Sequence, residues 1–185
     1  MLTWVTWVIL IIAVVIIGWF ILTYNNFVNL RNRVKNSWAQ IDVQLKRRYD
    51  LIPNLVETVK GYAKHEREVF EKITELRSRA MTSGTVKDIG ESNNQLTTAL
   101  KSLFAVAENY PELKANENFL KLQEELTNTE NKIAFSRQFY NDIVMNYNAA
   151  QQRIPANIIA GMMNLNPEEY YPVDEVEKGP VKVQF

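Results

Sequence analysis

The sequence contains no cysteine and only one histidine, His65. Without cysteine the chain has no disulfide, no thiolate nucleophile, no cysteine-type zinc site and no lipobox cysteine to carry a lipid. A zinc-protease helix needs a second histidine four positions on, and that position holds Val69. We therefore predict no metal, no cofactor and no catalytic residue, and His65 is predicted to be an ordinary surface side chain.

Glycine is also scarce, with six residues in 185, and no glycine-rich phosphate loop or G-x-S-x-G motif is present. The 21 basic and 21 acidic residues balance, so composition gives no nucleic-acid footprint. Acidic pairs such as Glu124 and Glu125 are typical of solvated helix faces. The sequence thus favours a non-enzymatic protein with no nucleic-acid partner and no small-molecule substrate.

Charge is missing altogether from residues 1–30, and from Trp4 to Leu22 only Thr6 is plainly polar. About 20 apolar residues in a helix cross the ~30 Å hydrocarbon core of a bilayer. Aromatic side chains favour the two interfaces of a bilayer, and the ends of this stretch carry Trp4, Trp7, Trp19 and Tyr24. A cleaved signal peptide would need a basic start and a small-residue cleavage site, which are absent. Residues 1–24 are predicted to form a permanent single-pass membrane anchor.

The first charges after the anchor are all basic: Arg31, Arg33 and Lys35 precede the first acid, Asp42. Basic residues are retained on the cytoplasmic side of membrane proteins, and near the surface they attract anionic headgroups. We expect a protein of the cell (inner) membrane, with the body in the cytoplasm, the N-terminus across the bilayer and lipid as its first partner.

Beyond the anchor, apolar residues recur every three or four positions, which predicts long amphipathic helices. The first is expected to run from the anchor to about Ala80. Thr85 and Asp88 resemble a capping box for the second helix, and Asn116 a cap for the third. A heptad from Phe119 to Ile154 marks the third helix, which Pro155 ends, and "ANIIAGMMNL" predicts a short closing helix.

Long helices with short connections pack as antiparallel neighbours. The predicted fold is therefore all-α, with an N-terminal transmembrane helix continuing into a long antiparallel up-down helical bundle over residues 25–165. Residues 166–185 carry five acids against two bases and several prolines, so this tail is predicted to be extended or disordered.

Pro53 is an anomaly, because it lies in the middle of the first helix, where proline removes a hydrogen bond and costs about 3 kcal/mol. The carbonyl of Tyr49 loses its donor, and we expect a side-chain amide such as Asn141 or Asn148, or water, to replace it. Polar residues near this point and on the third helix predict either a buried inter-helix network that fixes register or a kink that opens a groove for a partner helix. These residues are Asp50, Pro53, Asn54, Tyr140, Asn141, Asp142, Tyr147 and Asn148.

Several stretches of the body resemble the LemA family: "RYDLIPNLV", "NENFLKLQEEL" and "TENKIAFSRQFYND", with "YN" before the later proline. The resemblance runs from about Phe27 to Tyr171. It implies a bacterial, membrane-anchored bundle of long helices and no established enzymatic activity. Family members include proteins of bacterial magnetic organelles and proteins linked to membrane stress and membrane proteases.

Two functional hypotheses follow. The first is a membrane-anchored scaffold or assembly protein that acts as a homo-oligomer, with Phe27 and Trp38 as either interface or core residues. The second is an adaptor that presents clients or partners to a membrane protease or a stress-response complex. It would have a membrane-protein partner and would use the acidic tail and the terminal "VKVQF" as a docking strand.

Overall fold

A computed structural model describes residues 2–172 of the chain. Within this range the structure contains helices and no strands, which confirms the all-α prediction. The helices are α1 (Leu2–Lys60), α2 (Arg67–Thr82), α3 (Val86–Ala107), α4 (Pro111–Lys114), α5 (Glu117–Gln152) and α6 (Ala156–Met162).

The predicted apolar spacing places the core correctly over most of α1 and α5. In α1 the buried apolar positions begin at Phe27 and continue at steps of seven through Val34 and Ile41, then at steps of three and four through Leu45, Tyr49, Ile52, Val56 and Val59. In α5 the heptad buries Phe119, Leu126, Ile133, Tyr140 and Tyr147. The heptad fails at its last member, because Ile154 lies beyond the end of α5 and is 85% exposed.

The first helix is shorter than predicted. It ends at Lys60, and α2 starts afresh at Arg67 instead of continuing an unbroken helix to Ala80. The amides of Tyr62 and Ala63 both donate to the carbonyl of Val59, which closes a turn there. Glycine at position 61 weakens the helix, and no apolar residue covers the two turns between Ala63 and Val69. The helix therefore gains little from packing at this point.

Two helix starts agree with the predicted caps. The Thr85 hydroxyl oxygen accepts a hydrogen bond from the Asp88 amide at 3.1 Å, at the start of α3. The Asn116 side-chain oxygen accepts one from the Phe119 amide at 3.0 Å, at the start of α5. Each satisfies one of the amides that a helix N-terminus leaves without a partner.

Side-chain pairs show that α1 and α5 run antiparallel. Arg48 contacts Glu130, whereas Tyr62, 14 residues further along, accepts a hydrogen bond from Asn116, 14 residues earlier in the chain. The predicted antiparallel bundle is present here, completed by α2 packed on α3.

The chain divides into two compact units. One unit comprises the chain up to Ala39 together with Phe139–Glu168, and the other comprises Gln40–Gln138 and the residues from Glu169 onward. In the first unit, α6 and the end of α5 pack on α1 through Phe27, Ala150, Ile159 and Ala160. Phe27 is thus a core residue of its own chain.

The start of the tail is non-helical, as predicted, but it is fixed in place. The Asn148 side-chain amide donates to the Glu168 carbonyl at 3.0 Å, and its oxygen accepts from the Glu168 amide at 2.9 Å. Further along, Tyr171 is 1% exposed. The expectation of disorder is therefore wrong for residues 166–172. The rest of the tail, including "VKVQF", lies outside the described residues.

Candidate functional site

A buried arginine forms the polar centre of the second unit. Arg48 occupies a core position of α1 and is only 1% exposed. Its Nη1 lies 3.3 Å from Glu130 Oε2 on α5, and its Nη2 donates to Thr97 Oγ1 on α3 at 2.7 Å. Because a charge is costly to bury without a partner, these contacts tie three helices to one register.

A second polar contact lies one residue further along α1. The Asn93 side-chain nitrogen on α3 donates to the Tyr49 hydroxyl oxygen at 2.8 Å and to the Ile89 carbonyl at 2.8 Å. Tyr49 and Asn93 are both buried. Every such buried polar group that finds a partner avoids a penalty of about 1–3 kcal/mol.

The backbone carbonyl that Pro53 leaves without a helical donor accepts a hydrogen bond from a residue of α2. Proline has no amide hydrogen, so the carbonyl of Tyr49, four residues earlier, has no donor within its own helix. Arg77 Nε donates to this carbonyl at 2.7 Å. The predicted donor was a side-chain amide such as Asn141 or Asn148, or water. The structure instead places a charged group of α2 in this role, and the Asn148 amide is bound to Glu168.

Burial shifts the pKa values of three groups in this unit. Burial lowers the pKa of Arg48, and the nearby Glu130 carboxylate partly offsets this. An arginine nevertheless stays charged in proteins. Burial also raises the pKa of the Tyr49 hydroxyl, and it raises the pKa of Tyr171 to about 12. These phenols are therefore neutral at physiological pH, which makes them structural groups and not proton carriers.

Next to Arg48 lies a cavity of about 160 Å³. Its wall is partly apolar, from Leu100, Phe104 and Leu126, and partly polar, from Arg48, Thr97 and Glu130. Glu130 and Thr97 both already contact the guanidinium. The Thr97 hydroxyl donates to Glu130 Oε1 at 3.2 Å, and the same carboxylate is paired with the Arg48 guanidinium. A carboxylate held by a buried arginine in this way favours a structural contact over the activation of a nucleophile.

A wider concavity of about 540 Å³ lies where α1 gives way to α2, and it is lined mainly by charged residues. Lys60 pairs with Glu57, and Arg67 pairs with Glu71. All four side chains are largely exposed. Exposed pairs of this kind are typical of a solvated surface and contribute little to stability.

The predicted anchor residues all lie on the N-terminal part of α1. The N-terminal part of α1 is long and apolar enough to cross a membrane, and no residue of its most apolar window is buried inside the structure. Trp4 and Trp7 are 80% and 67% exposed, and Trp19 and Tyr24 are exposed as well. The basic residues Arg31, Arg33 and Lys35 also have exposed side chains.

The polar residues singled out in the sequence do not form a single buried network. Tyr140, Tyr147 and Asn148 are buried, and the Tyr140 ring meets the Trp38 ring edge-on at 5.5 Å. Asn141 is half-buried, and Asp142 is exposed. On α1 the side chains of Asp50, Pro53 and Asn54 are exposed, so they lie outside the buried polar contacts of Arg48 and Tyr49.

Sequence reasoning missed the partners of these buried groups. Glu130, Thr97, Asn93 and Arg77 were not singled out. Arg48 gave a signal, because an arginine at a core position of an apolar stripe demands an acid on a neighbouring helix. For Glu130 the signal was its place beside Thr129, a heptad position, although many exposed acids share that property.

A comparison with known protein families identifies the family of this chain. A family model described as the LemA family matches residues 37–185. The chain belongs to the LemA family. The resemblance noted in the sequence is thereby confirmed over most of the body.

Two curated relatives show which kinds of protein are similar to this LemA-family chain. Magnetosome protein MamQ 2 of Paramagnetospirillum magneticum is 25% identical over 185 aligned residues, which cover 86% of this chain and 68% of the relative. Protein LemA of Metamycoplasma hominis is 26% identical over 167 residues, which cover 88% of this chain and 76% of the relative.

Proposed function

We propose that this protein is a non-catalytic helical scaffold held to the bacterial cell membrane by the first part of α1. The observation that carries the proposal is the fully exposed apolar stretch of α1, which continues without a break into the packed body. A helix that continues through the interface holds the first unit, which packs directly on it, close to the membrane, whereas a flexible linker would not.

The interior of the body supports a structural role. The buried charge of Arg48 is paired with Glu130, and the carbonyl left without a donor by Pro53 accepts from Arg77. The buried phenols of Tyr49 and Tyr171 have raised pKa values and are neutral at physiological pH. In the described part of the chain, no group of three or more histidine, aspartate or glutamate residues is placed to hold a metal ion. Polar contacts of this kind fix the register of the helices and make the bundle rigid, and they do not suggest catalysis.

The body faces the cytoplasm in this proposal, and the N-terminus lies across the membrane. Support comes from the exposed side chains of Arg31, Arg33 and Lys35, which follow the apolar stretch directly and which positive-inside retention keeps on the cytoplasmic side. The same residues suit the anionic headgroups of that leaflet.

Homo-oligomerisation is the second part of the proposal, and it has one specific candidate contact. Phe135 on α5 is 79% exposed, which is unusual for a phenylalanine on a bundle helix. Large aromatic residues are enriched at the centres of protein interfaces. A second copy of the chain would cover this ring.

Light scattering on the full chain in detergent tests this contact. We expect a protein mass that is a multiple of 21.5 kDa, and we expect Phe135→Ser to lower it to that of one chain. Gln138→Ser, an exposed polar position on the same helix, should leave the mass unchanged. A wild-type protein with the mass of a single chain would contradict the oligomer.

A further inference from the structure

The short helix α6 presents an apolar face that nothing in its own unit covers. Ile158 and Met162 lie one turn apart on α6, and Ile154 lies in the turn before it; we call these three residues the α6 stripe. They are 85%, 62% and 66% exposed in the order Ile154, Ile158, Met162. The opposite side of α6 is buried, with Ile159 and Ala160 in the core.

The segment around α6 is also free of charge. Residues 154–167 contain no charged side chain, the longest such run after the first 30 residues. Arg153 precedes it and Glu168 follows it. A solvated surface helix normally carries charged residues opposite its buried face, so the lack of charge here indicates a surface that is not exposed to bulk water.

The contacts of α6 place it close to the predicted bilayer surface. Its buried side packs on Phe27 and Leu30 of α1. Phe27 lies five residues beyond Leu22, the last residue of the apolar stretch, or about 7.5 Å along the helix. The headgroup layer adds roughly 5–8 Å to each side of the hydrocarbon core. With Leu22 at the edge of the hydrocarbon core, Phe27 would lie at the depth of the headgroups, and Leu30, about 12 Å beyond Leu22, would lie just outside them.

We propose that α6 is an interfacial contact to the lipid surface, with the α6 stripe inserted among the headgroups and upper acyl chains. The inference rests on the proposed function, because it requires that α1 spans the bilayer. Amphipathic helices bind membranes in this way, through an apolar face buried about 5–10 Å into the interface. The exposed Arg31 and Arg153 flank the contact and suit lipid phosphates.

This second contact would restrain the body. A single transmembrane helix leaves the body free to rotate about the helix axis and to tilt, since tilt is set by packing and by interfacial anchors. An interfacial helix fixed to α1 through Phe27 adds a point of attachment beside the axis. The first unit, which carries α6, is then held at one angle to the membrane.

The absence of native cysteine allows a direct test by site-specific labelling of the full chain. Single cysteines at Ile158, at Val14 in the apolar stretch and at Gly84 in the loop between α2 and α3 would each carry an NBD fluorophore. Val14 is exposed, and a side chain at Gly84 meets no atom within 4 Å, so both control sites accept the label. The protein is placed in nanodiscs of phosphatidylcholine and phosphatidylglycerol that hold one copy of the chain.

Quenching by doxyl lipids then reports depth. We expect the label at Ile158 to be quenched more by a doxyl group near the headgroup than by one deep in the acyl chain. The label at Val14 should show the opposite order, and the label at Gly84 should not be quenched by either. These three results together would support the interfacial position of α6.

Three other results would overturn the inference, and they separate it from the proposed function. If Ile158 behaves like Gly84 while Val14 is quenched, the anchor stands and the interfacial helix does not. If the label at Ile158 is shielded only in discs that hold two copies, the α6 stripe contacts a second chain and not lipid. If Val14 itself is not quenched, α1 does not span the bilayer and the proposed function fails as well.

Discussion

At the scale of single residues, the structure explains how a proline persists within a long helix. Pro53 removes one donor, and Arg77 supplies another from a different helix. The two residues are thus coupled, although their side chains play unlike roles. A hydrogen bond from a charged donor contributes about 1.5–3 kcal/mol, which is comparable with part of the cost of an internal proline.

This coupling predicts a double-mutant cycle. Arg77→Met should lower the free energy of unfolding by about 1–2 kcal/mol in the wild-type background. In a Pro53→Ala background the new amide of residue 53 donates to the Tyr49 carbonyl within the helix, so the same substitution should cost markedly less. Denaturant unfolding followed by circular dichroism measures both. Arg79→Met, on the same helix but exposed, is the control, and an equal cost for Arg77→Met in both backgrounds would refute the coupling.

The buried Tyr171 predicts a specific pH dependence. Burial raises its pKa to about 12 from an ordinary 10.0, so the folded chain holds the phenol proton more tightly than the unfolded chain does. The stability from this group is fully present below pH 10 and is lost as the pH rises from 10 to about 12. The loss amounts to about 2–3 kcal/mol, since one pKa unit corresponds to about 1.4 kcal/mol.

Unfolding experiments across this pH range should therefore separate wild type from Tyr171→Phe. The variant has no phenol to ionise at this site, so its stability should fall less between pH 10 and 12. Tyr170→Phe, next in sequence and exposed, should follow the wild type. Parallel curves for wild type and Tyr171→Phe would show that this hydroxyl does not contribute to the pH dependence.

At the scale of elements, the start of the tail is held against α3 by a close contact at Gly90. A Cβ atom there would lie 2.3 Å from Pro172 Cγ and 2.5 Å from Pro172 Cδ. Next to Pro172, Arg137 lies over the Tyr171 ring, with its Cζ 5.2 Å from the ring centre. Glycine at position 90 is therefore explained by the approach of the tail and not by the needs of the helix, which alanine would suit better.

Gly90→Ala should consequently release the tail while leaving α3 intact. The proline ring is rigid, so it cannot move aside without moving the backbone on either side. We expect faster hydrogen exchange at the amides of Glu169, Tyr170 and Tyr171, with unchanged exchange within α3. Gly161→Ala is the matched control, since a side chain there meets nothing within 4 Å. Unchanged exchange in the tail of Gly90→Ala would show that the contact is not restrictive.

Periodicity predicted the helices and most of their core positions, because burial along a helix repeats in sequence. It did not predict the break after Lys60, since the glycine and the polar interval there are weak signals beside a strong apolar stripe. It also could not assign partners to Arg48 or to the Tyr49 carbonyl. Those partners, Glu130 and Arg77, come from helices distant in sequence, and many exposed charged residues have the same local pattern.

The start of the tail also has partners that its own sequence does not reveal. Its composition predicts a segment that cannot bury enough apolar surface to fold by itself. Tyr171 and Pro172 are nevertheless fixed, because a pre-formed surface with a glycine and an arginine accepts them. Composition describes what a segment does alone, and it does not include the surface on which the segment packs.

At the scale of the whole molecule, the proposed function requires that α1 crosses a membrane once and carries the helical body on the cytoplasmic side. A scaffold needs a fixed attachment, and the basic residues after the apolar stretch, like the proposed contact of α6, have a role only beside a bilayer.

The most direct test places single cysteines at Thr3 and at Gly84 and treats intact cells with a membrane-impermeant maleimide. Both positions are exposed, and they lie on either side of the apolar stretch. We expect Thr3→Cys to be labelled in intact cells and Gly84→Cys to be labelled only after lysis. The reverse pattern would overturn the orientation, and equal labelling of the two sites would contradict a membrane-spanning α1.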